Sequence, residues 1–290
     1  TNSNWLADDA DRIVEALIAH PAVRRVNFTG STRVGRLIAE TCARHLKRCL
    51  LELSGKAPLI VLDDADLEEA VKAATFGAFF HQGQICMSTE RVIVDETIAD
   101  DFIERFKARA ETIRAGAPGG NREPGDTVCQ LGSMITEQAA VRVKGLIDDA
   151  VRKGARLVCG GNQNGVFVDP TILADVIPTM RIYYEESFGP VASVIRVMDA
   201  EEAISVANDT EYGLAAAVFG RDTTRALKVA QRIESGICHI NAPTIHDEAQ
   251  VPFGGMKASG HGRFGGAAGI DEFTELRWIT IQTEPQNYPI

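Results

Sequence analysis

An α/β fold with a mainly parallel β-sheet is predicted by two features of the 290-residue sequence. Short apolar runs rich in Val and Ile alternate with longer segments whose apolar residues recur at helical spacing. The pattern is plainest over residues 191–220, where VASVIRV and AAAVF flank an amphipathic segment. Strands that alternate with helices in this way pair in parallel and are covered by helices on both faces.

The N-terminal elements follow from apolar spacing and from the position of glycines. Residues 9–19 have helical periodicity and lead into a short strand at 23–28. The stretch TGSTRVGRLIAETCARHL then indicates a loop that opens a helix. Residues 47–80 predict a strand, a glycine turn, a second strand and a helix.

The rest of the chain repeats this alternation. Residues 91–113 predict a strand and a helix, and residues 135–161 predict a helix and a strand. Between them, GAPGGNREPGD has the composition of a loop. Near the C-terminus, ELRWITIQ at 275–282 alternates apolar and polar residues as a strand does.

The composition favours a cytoplasmic protein that binds neither nucleic acid nor membranes. Lys plus Arg number 30 against 40 Asp plus Glu, and the net charge of −10 disfavours binding to phosphate backbones or anionic lipid. No apolar run approaches the ~20 residues of a membrane span, and the start of the chain does not resemble a signal peptide. The six cysteines lack CxxC and zinc spacing, so we expect reduced thiols and no metal site.

Two glycine-rich stretches have the spacing of nucleotide-binding loops. GHGRFG at 260–265 matches G-x-G-x-x-G, but it follows MKAS rather than an apolar strand and no helix-periodic run follows it, so we reject it. VNFTGSTRVGRLIAE is the better candidate, because Gly30 permits a tight turn after the strand and Ser31 or Thr32 can cap the helix. The positive start of that helix suits a pyrophosphate, although an ordinary capped helix explains the same residues equally well.

Cys86, in GQICMSTER, is the candidate nucleophile. It follows Gly83 and precedes Ser88, Thr89 and Glu90, so we expect open, polar surroundings and a thiolate. A packing role for it stays open on position alone. Cys129 lies near a loop without distinctive neighbours. The remaining cysteines are interpreted as small packing residues: Cys42, Cys49, Cys159 and Cys238.

Glu52 is the candidate general base. It is an acid within the apolar strand of LLELSGK, directly before a Ser-Gly turn. A carboxylate in an apolar environment is costly, and desolvation raises its pKa toward the range in which a base works near neutral pH. A carboxylate on the wet face of the strand remains the alternative.

Five stretches together resemble the aldehyde dehydrogenase superfamily, in order and in spacing. They are FTGST…G at 28–35, LELSGK at 51–56, GQIC at 83–86, EESFGPV at 185–191 and PFGGMKASGHGR at 252–263. They extend over essentially the whole chain. The resemblance implies an aldehyde-dehydrogenase-like α/β fold, with a parallel-sheet catalytic domain and an incomplete Rossmann-like cofactor domain.

The resemblance implies a reaction through Cys86 and Glu52. Cys86 would attack the aldehyde carbonyl to give a thiohemiacetal, with its own backbone N–H holding part of the oxyanion. Hydride transfer to NAD, with NADP not excluded, would leave a thioester, and Glu52 would activate the water that releases the acid. Lys257 matches a structural lysine. The positions that match cofactor contacts are Thr29, Gly30, Ser31, Gly35, Leu53, Glu186 and Phe188.

Within the superfamily, GQICMSTERVIVD and SGICHINAPTIHDEAQVPFGG look like the bacterial branch that acts on salicylaldehyde, vanillin and benzaldehyde. Salicylaldehyde or a related hydroxybenzaldehyde is therefore the expected substrate. Apolar walls with one polar tip, His246, would suit a hydroxylated ring, although a surface position for His246 is equally open. The residues expected to line the aldehyde pocket are Ile85, Met87, Ile245, His246 and Phe253.

The sequence departs from the family at its start. The family's first half-domain, its oxyanion-hole Asn and its adenosine-ribose contacts have no counterpart, so we expect a piece of a larger enzyme or a naturally short one. Ser54 replaces a glycine beside the base, and its bulk could disturb Glu52. The expected units are a cofactor-domain remnant at 1–54, a catalytic domain at 55–258 and a C-terminal return at 259–290. The strand in that return would pair with a second subunit in a homodimer or homotetramer, or else complete its own sheet.

Other functions remain open. Acylation of Cys86 by an activated ester needs no hydride acceptor, so a cofactor-independent thiol esterase is one alternative. A non-catalytic binding or assembly remnant is another, given the missing half-domain. A Cys–His hydrolase of the protease type is weaker, because none of the six histidines lies in a motif beside Cys86.

Overall fold

The computed structural model of the chain describes residues 9–117 and 130–290. The α-helices in these ranges are α1 (Ala10–Ala19), α2 (Thr32–Arg44), α3 (Leu67–Phe79), α4 (Ala99–Ala110), α5 (Glu137–Arg152), α6 (Arg181–Tyr184), α7 (Ala200–Asn208), α8 (Thr223–Ala230) and α9 (Gly266–Glu272). The strands are β1 (Arg25–Thr29), β2 (Arg48–Glu52), β3 (Ala57–Val61), β4 (Thr89–Asp95), β5 (Arg156–Cys159), β6 (Gln163–Asn164), β7 (Phe167–Val168), β8 (Thr171–Ala174), β9 (Val191–Val197), β10 (Tyr212–Gly213), β11 (Ala215–Phe219), β12 (Ile237–Ile240), β13 (Met256–Lys257) and β14 (Gly260–His261).

The main sheet has seven strands in the order β12-β11-β3-β4-β9-β8-β5. All neighbouring strands run parallel except β5 and β8. Strands β3, β4 and β11 are buried along their whole length, as expected for parallel strands covered on both faces. Helices α3 and α4 cover one face and helices α7 and α8 cover the other. The predicted α/β class with a mainly parallel sheet is confirmed.

A smaller sheet carries Glu52 and the predicted cofactor loop. Its order is β1-β2-β14, with β1 parallel and β14 antiparallel to β2. Helix α2 follows β1 through Gly30, and its N-cap Ser31 accepts a hydrogen bond from the Val34 amide at 3.4 Å. The predicted strand, glycine turn and capped helix therefore form as expected.

The C-terminal return reaches this small sheet through Gly260. This residue has φ +111°, and a Cβ there would overlap the carbonyl oxygen of Leu51. Strand β14 can therefore pair directly beside Glu52. The predicted boundaries at 54 and 258 remain a prediction.

One local expectation is wrong: helix α9 follows GHGRFG directly, although no helix was expected there. The segment at 275–282 pairs with none of the described strands, so the alternative in which it completes its own sheet is not observed, and its pairing with a second subunit stays a prediction. Cys129 and residues 118–126 of the predicted loop lie outside the described residues. None of the helices in the described ranges combines the length and apolarity needed to cross a membrane.

Candidate active site

Glu52 and Cys86 approach each other from the two sheets. Glu52 is the last residue of β2, and Cys86 lies between the 3-10 turn at 80–83 and the start of β4. The two segments pack closely at Gly55, where an added Cβ would overlap the carbonyl oxygen of Cys86. The glycine of LELSGK is therefore packed on the backbone of GQIC.

Glu52 is a buried carboxylate without a partner. It is 5% exposed, and neither of its side-chain oxygens accepts a hydrogen bond from the described residues. Burial raises the pKa of Glu52 to about 7, with the positive charge of Arg263 acting in the opposite direction. The wet-face alternative is wrong, and the environment is the one that a general base at neutral pH requires.

The surroundings of Cys86 differ from the expectation. Its side chain is half-buried in an apolar cluster with Met87, Leu214 and Ile237, while Ser88, Thr89 and Glu90 are buried as well. Burial and, secondly, the charge of Glu52 raise the pKa of the Cys86 thiol to about 11. The expected open setting is therefore wrong, and this burial favours the neutral thiol over the expected thiolate.

A tight turn holds the thiol in place. Gly83 has φ +66°, and a Cβ there would overlap the carbonyl oxygen of Gly189. The Ser88 amide donates to the carbonyl oxygen of Ile85 at 2.9 Å and closes the turn around Cys86. The backbone N–H groups of Cys86 and Met87 lower the thiol pKa, against burial. These two donors therefore lie where negative charge next to the sulfur would be stabilised.

The predicted cofactor loop lies directly beside Glu52. The Gly30 amide donates to the carbonyl oxygen of Glu52 at 3.1 Å, and Thr29 pairs with Glu52 across the sheet. Thr29, Gly30 and Ser31 are exposed at the start of α2. The start of this 13-residue helix is thus open to an anion.

Gly35 and Leu53 contact each other rather than forming an open surface. A Cβ on Gly35 would lie 2.5 Å from Cδ2 of Leu53, which is 5% exposed. The second glycine of the motif therefore makes room for the Leu53 side chain beneath α2. Any contact between Leu53 and a cofactor would have to come from its backbone.

Glu186 and Phe188 lie in the segment that reaches the Gly55 turn. The Gly55 amide donates to Oε1 of Glu186 at 2.9 Å. The side chain of Ser54, the unusual residue beside the base, acts to lower the pKa of Glu186 against the effect of burial, and the Ser54 carbonyl oxygen accepts a hydrogen bond from the Ser259 hydroxyl at 2.6 Å. Ser54 thus fixes this turn. Phe188 has φ +45°, an uncommon conformation for a bulky residue.

The predicted substrate residues fall into two groups. Ile85, Met87, Ile245 and Phe253 belong to the apolar cluster that contains Cys86. The side chain of His246 is 51% exposed and pairs with Glu248 at 3.2 Å, so the surface position left open for it is observed. His246 and Phe253 nevertheless line a common cavity of about 340 Å³.

Lys257 is held by the protein itself. Its Nζ lies 3.0 Å from Oε2 of Glu234 and 3.1 Å from the carbonyl oxygen of Asn208. These contacts agree with a structural role. In the described part of the chain, no three His, Cys, Asp or Glu side chains come together as a metal site requires.

Three residues were not singled out from the sequence: Thr244, Phe76 and Phe80. Thr244 donates to the carbonyl oxygen of Met87 at 2.7 Å and lies 2.8 Å from the Thr89 hydroxyl, so it connects the segment that follows β12 to the nucleophile turn, residues 83–88 around Cys86. Phe76 and Phe80 stack at 4.9 Å and are exposed, ten and six residues before Cys86. The aromatic i, i+4 spacing was the available signal.

The structure therefore brings together a half-buried thiol, a buried carboxylate without a partner among the described residues, and a strand–glycine–helix unit within an α/β fold. The family model described as the aldehyde dehydrogenase family matches residues 3–279. The chain therefore belongs to the aldehyde dehydrogenase family.

Relatives named for aromatic aldehydes match almost the whole chain. A vanillin dehydrogenase of Pseudomonas fluorescens is 62% identical over 282 residues, which are 97% of this chain and 57% of that protein. A salicylaldehyde dehydrogenase of Pseudomonas putida is 54% identical over 99% of this chain and 59% of its own length. The crystal structure of a salicylaldehyde dehydrogenase from Pseudomonas putida G7 complexed with salicylaldehyde matches with a TM-score of 0.93, at 54% identity, over 98% of this chain and 57% of that one.

The chain spans 57–59% of the length of these relatives. Matching structures include NAD-dependent and NADP-dependent enzymes, so the family's use of a nicotinamide cofactor is clear while the preference of this chain is open.

Proposed function

We propose that the chain belongs to an enzyme that oxidises an aromatic aldehyde to its carboxylic acid with NAD or NADP. The observation that carries the proposal is Glu52, a buried carboxylate without a hydrogen-bond partner that is electrostatically coupled to the Cys86 thiol. Burial of an acid without a partner costs stability, so a functional reason for it is favoured.

The chain's own groups support each proton movement of this reaction. Cys86 attacks the aldehyde carbon through Sγ, while its proton passes through a water to Glu52 and the backbone N–H groups of Cys86 and Met87 stabilise the oxyanion of the thiohemiacetal. Glu52 returns its proton to solvent and later takes one from the water that attacks the thioester carbonyl. The C–S bond breaks, the acid leaves, and Glu52 passes the proton it took from this water to the Cys86 sulfur, which restores the thiol.

The cofactor contacts are proposed from the same geometry. The exposed turn of Gly30 and Ser31 at the start of α2 fits a diphosphate, and Glu186 and Phe188 lie beside the Gly55 turn where a nicotinamide riboside would meet Cys86. When bound, NAD or NADP supplies the hydride acceptor that the oxidation requires. NAD is the proposed cofactor, with NADP as the alternative.

A hydroxylated benzaldehyde, best salicylaldehyde, is the proposed substrate. Relatives named for vanillin, salicylaldehyde and benzaldehyde support an aromatic ring. The apolar cluster around Cys86 supplies ring contacts, and His246 supplies a polar group at the rim. We further propose a cytoplasmic homodimer or homotetramer.

Thiol esterase activity without cofactor is the second candidate. It is favoured by the apolar setting of Cys86, which suits an activated ester as well as an aldehyde. A non-catalytic binding or assembly role is the third.

Spectrophotometric measurement of NADH formation with salicylaldehyde tests the proposal. Wild type is expected to turn over, and Cys86→Ala and Glu52→Gln are expected to lose at least about 10³-fold and about 10²-fold in rate. Full activity in Cys86→Ala would rule the mechanism out. Ester turnover without NADH formation would favour the second candidate. If the chain catalyses neither reaction and does not bind NAD, the third candidate is favoured.

A further inference from the structure

Lys56 and Glu90 form a buried ion pair that the proposed mechanism does not use. Lys56 is 2% exposed and Glu90 is 4% exposed, and Nζ lies 2.6 Å from Oε2. They occur 34 positions apart, in the LELSGK and GQICMSTER stretches. Two charges removed from water need additional hydrogen bonds to satisfy them, so the other partners of this pair indicate what it holds.

Those partners belong to one segment, residues 185–188. Glu90 accepts hydrogen bonds from the Ser187 amide at 2.8 Å, the Ser187 hydroxyl at 2.9 Å and the Phe188 amide at 3.0 Å. Lys56 donates to the carbonyl oxygen of Glu185 at 2.7 Å. The pair thus hydrogen-bonds to the backbone on both sides of Glu186 and stabilises Phe188 in its uncommon positive-φ conformation.

The same pair is joined to the nucleophile turn. Lys56 follows Gly55, which packs on the Cys86 carbonyl and donates to Glu186, and Glu90 lies four residues after Cys86 at the start of β4. Three segments therefore meet at one ion pair: the turn at 53–56 that follows Glu52, the turn at 83–88 around Cys86, and residues 185–188, which are proposed to contact the cofactor.

We propose that Lys56 and Glu90 are positioning residues that fix Glu186 and Phe188 against the Cys86 turn and so set the affinity for the nicotinamide cofactor. The inference rests on the proposed function. It assigns neither residue a contact with substrate or cofactor. Its consequence is that loss of the pair weakens cofactor use more than it weakens the reactivity of the thiol.

Two variants without net charge at the pair separate positioning from folding. Lys56→Met/Glu90→Gln keeps a side-chain acceptor for the Ser187 and Phe188 amides, whereas Lys56→Met/Glu90→Leu removes it. We expect the Leu variant to raise KM for NAD by about 10-fold to 100-fold, as misplacement of a contact by about 1 Å does. Cofactor-independent hydrolysis of 4-nitrophenyl acetate by Cys86 is expected to change by less than about threefold, and the Gln variant to recover most of the NAD affinity.

Two further variants serve as controls. Asp149→Asn alters another buried carboxylate that accepts from a backbone amide, that of Arg181 at 2.9 Å, and is expected to leave KM for NAD unchanged. Ser187→Ala removes only one hydrogen bond of Glu90 and is expected to raise KM slightly. If the Leu variant does not fold, this milder change and the Gln variant supply the comparison.

The outcomes are distinguishable. An unchanged KM for NAD in the folded Leu variant, or an equal loss of ester hydrolysis and NADH formation, would overturn the positioning role alone. Should the Leu variant not fold, an unchanged KM in Ser187→Ala would do the same. A wild-type chain that hydrolyses the ester but neither binds nor reduces NAD would overturn the proposed function and the positioning role with it.

Discussion

At the scale of single residues, burial makes the Cys86 thiol a proton donor and leaves Glu52 able to accept a proton near neutral pH. With pKa values of about 11 for Cys86 and about 7 for Glu52, about one thiol in 10⁴ is ionised at pH 7 while about half of the carboxylates are. Proton transfer from Sγ to Glu52 is then uphill by at most about 5 kcal/mol, because part of the rise in the Cys86 pKa comes from the Glu52 charge that the transfer removes. Because turnover at ~10 s⁻¹ corresponds to a barrier of about 16 kcal/mol, a neutral resting thiol is compatible with catalysis.

The burial of Glu52 could be anticipated from the sequence, whereas the buried surroundings of Cys86 could not. An acid within an apolar strand is visible in the letters alone. Ser88, Thr89 and Glu90, however, indicated polar surroundings, whereas all three are buried, Thr89 bonds to Thr244, and Glu90 finds its partners in Lys56 and the distant 187–188 segment. A sequence does not show that distant partners satisfy polar residues such as Thr89 and Glu90.

The raised pKa of Glu52 predicts a pH-dependent gain in stability for Glu52→Gln. The folded chain holds the Glu52 proton up to about pH 7, whereas the unfolded chain releases it near pH 4.5, so wild type loses up to about 3 kcal/mol of stability as pH rises between these values. Urea unfolding of both proteins at pH 4.5 and 8 should show that the advantage of the variant grows by about that amount. An equal difference at both pH values would show that Glu52 is not desolvated in the folded chain.

At the scale of elements, glycines set how closely the motifs approach. Gly55, Gly83 and Gly260 each face a backbone carbonyl oxygen that a Cβ would overlap, at Cys86, Gly189 and Leu51 respectively. The sequence showed these glycines in the right order, but not which carbonyl each one meets. The strands and helices themselves followed from apolar periodicity, because buried parallel strands are nearly continuous apolar runs.

Gly55→Ala is expected to damage the site. The added methyl must displace the Cys86 carbonyl, so we expect a loss of about 1–3 kcal/mol in the free energy of unfolding and at least about 10-fold in turnover. Gly145→Ala is the matched control, because nothing lies within 4 Å of the new methyl and alanine favours the interior of α5, by up to about 1 kcal/mol. Unfolding curves and NADH formation measure both effects. Wild-type turnover in Gly55→Ala would show that the close approach of Gly55 to the Cys86 carbonyl does not affect the reaction.

At the scale of the whole molecule, the segment beyond α9 is held by Arg25 at Thr274 and Glu275, but residues 276–282 pair with none of the described strands. Strand β14 returns to the small sheet, but beyond α9 a run of apolar side chains is exposed: Leu276, Trp278, Ile279 and Ile281. The alternating pattern predicted a strand and could not say what it pairs with. Exposed apolar side chains on an unpaired extended segment favour pairing with a second copy.

Removal of residues 275–290 is therefore expected to convert an oligomer into a monomer. Deletion of residues 283–290 alone keeps the alternating segment and serves as the control, with its oligomeric state expected to be unchanged. Sedimentation velocity over a range of concentrations distinguishes the species. A full chain that is already monomeric, or a shortened one that still assembles, would contradict the assignment of this segment to an interface.

Mass spectrometry can identify the residue that carries the acyl group during turnover. Salicylaldehyde with NAD, or 4-nitrophenyl acetate alone, is mixed with the Glu52→Gln variant, quenched in acid and digested for mass spectrometry. Slow release of the acyl group in this variant should leave the acyl mass on the peptide that contains Cys86. Turnover accompanied by acylation of another cysteine, or acylation that is no longer-lived than in wild type, would contradict the roles of Cys86 and Glu52.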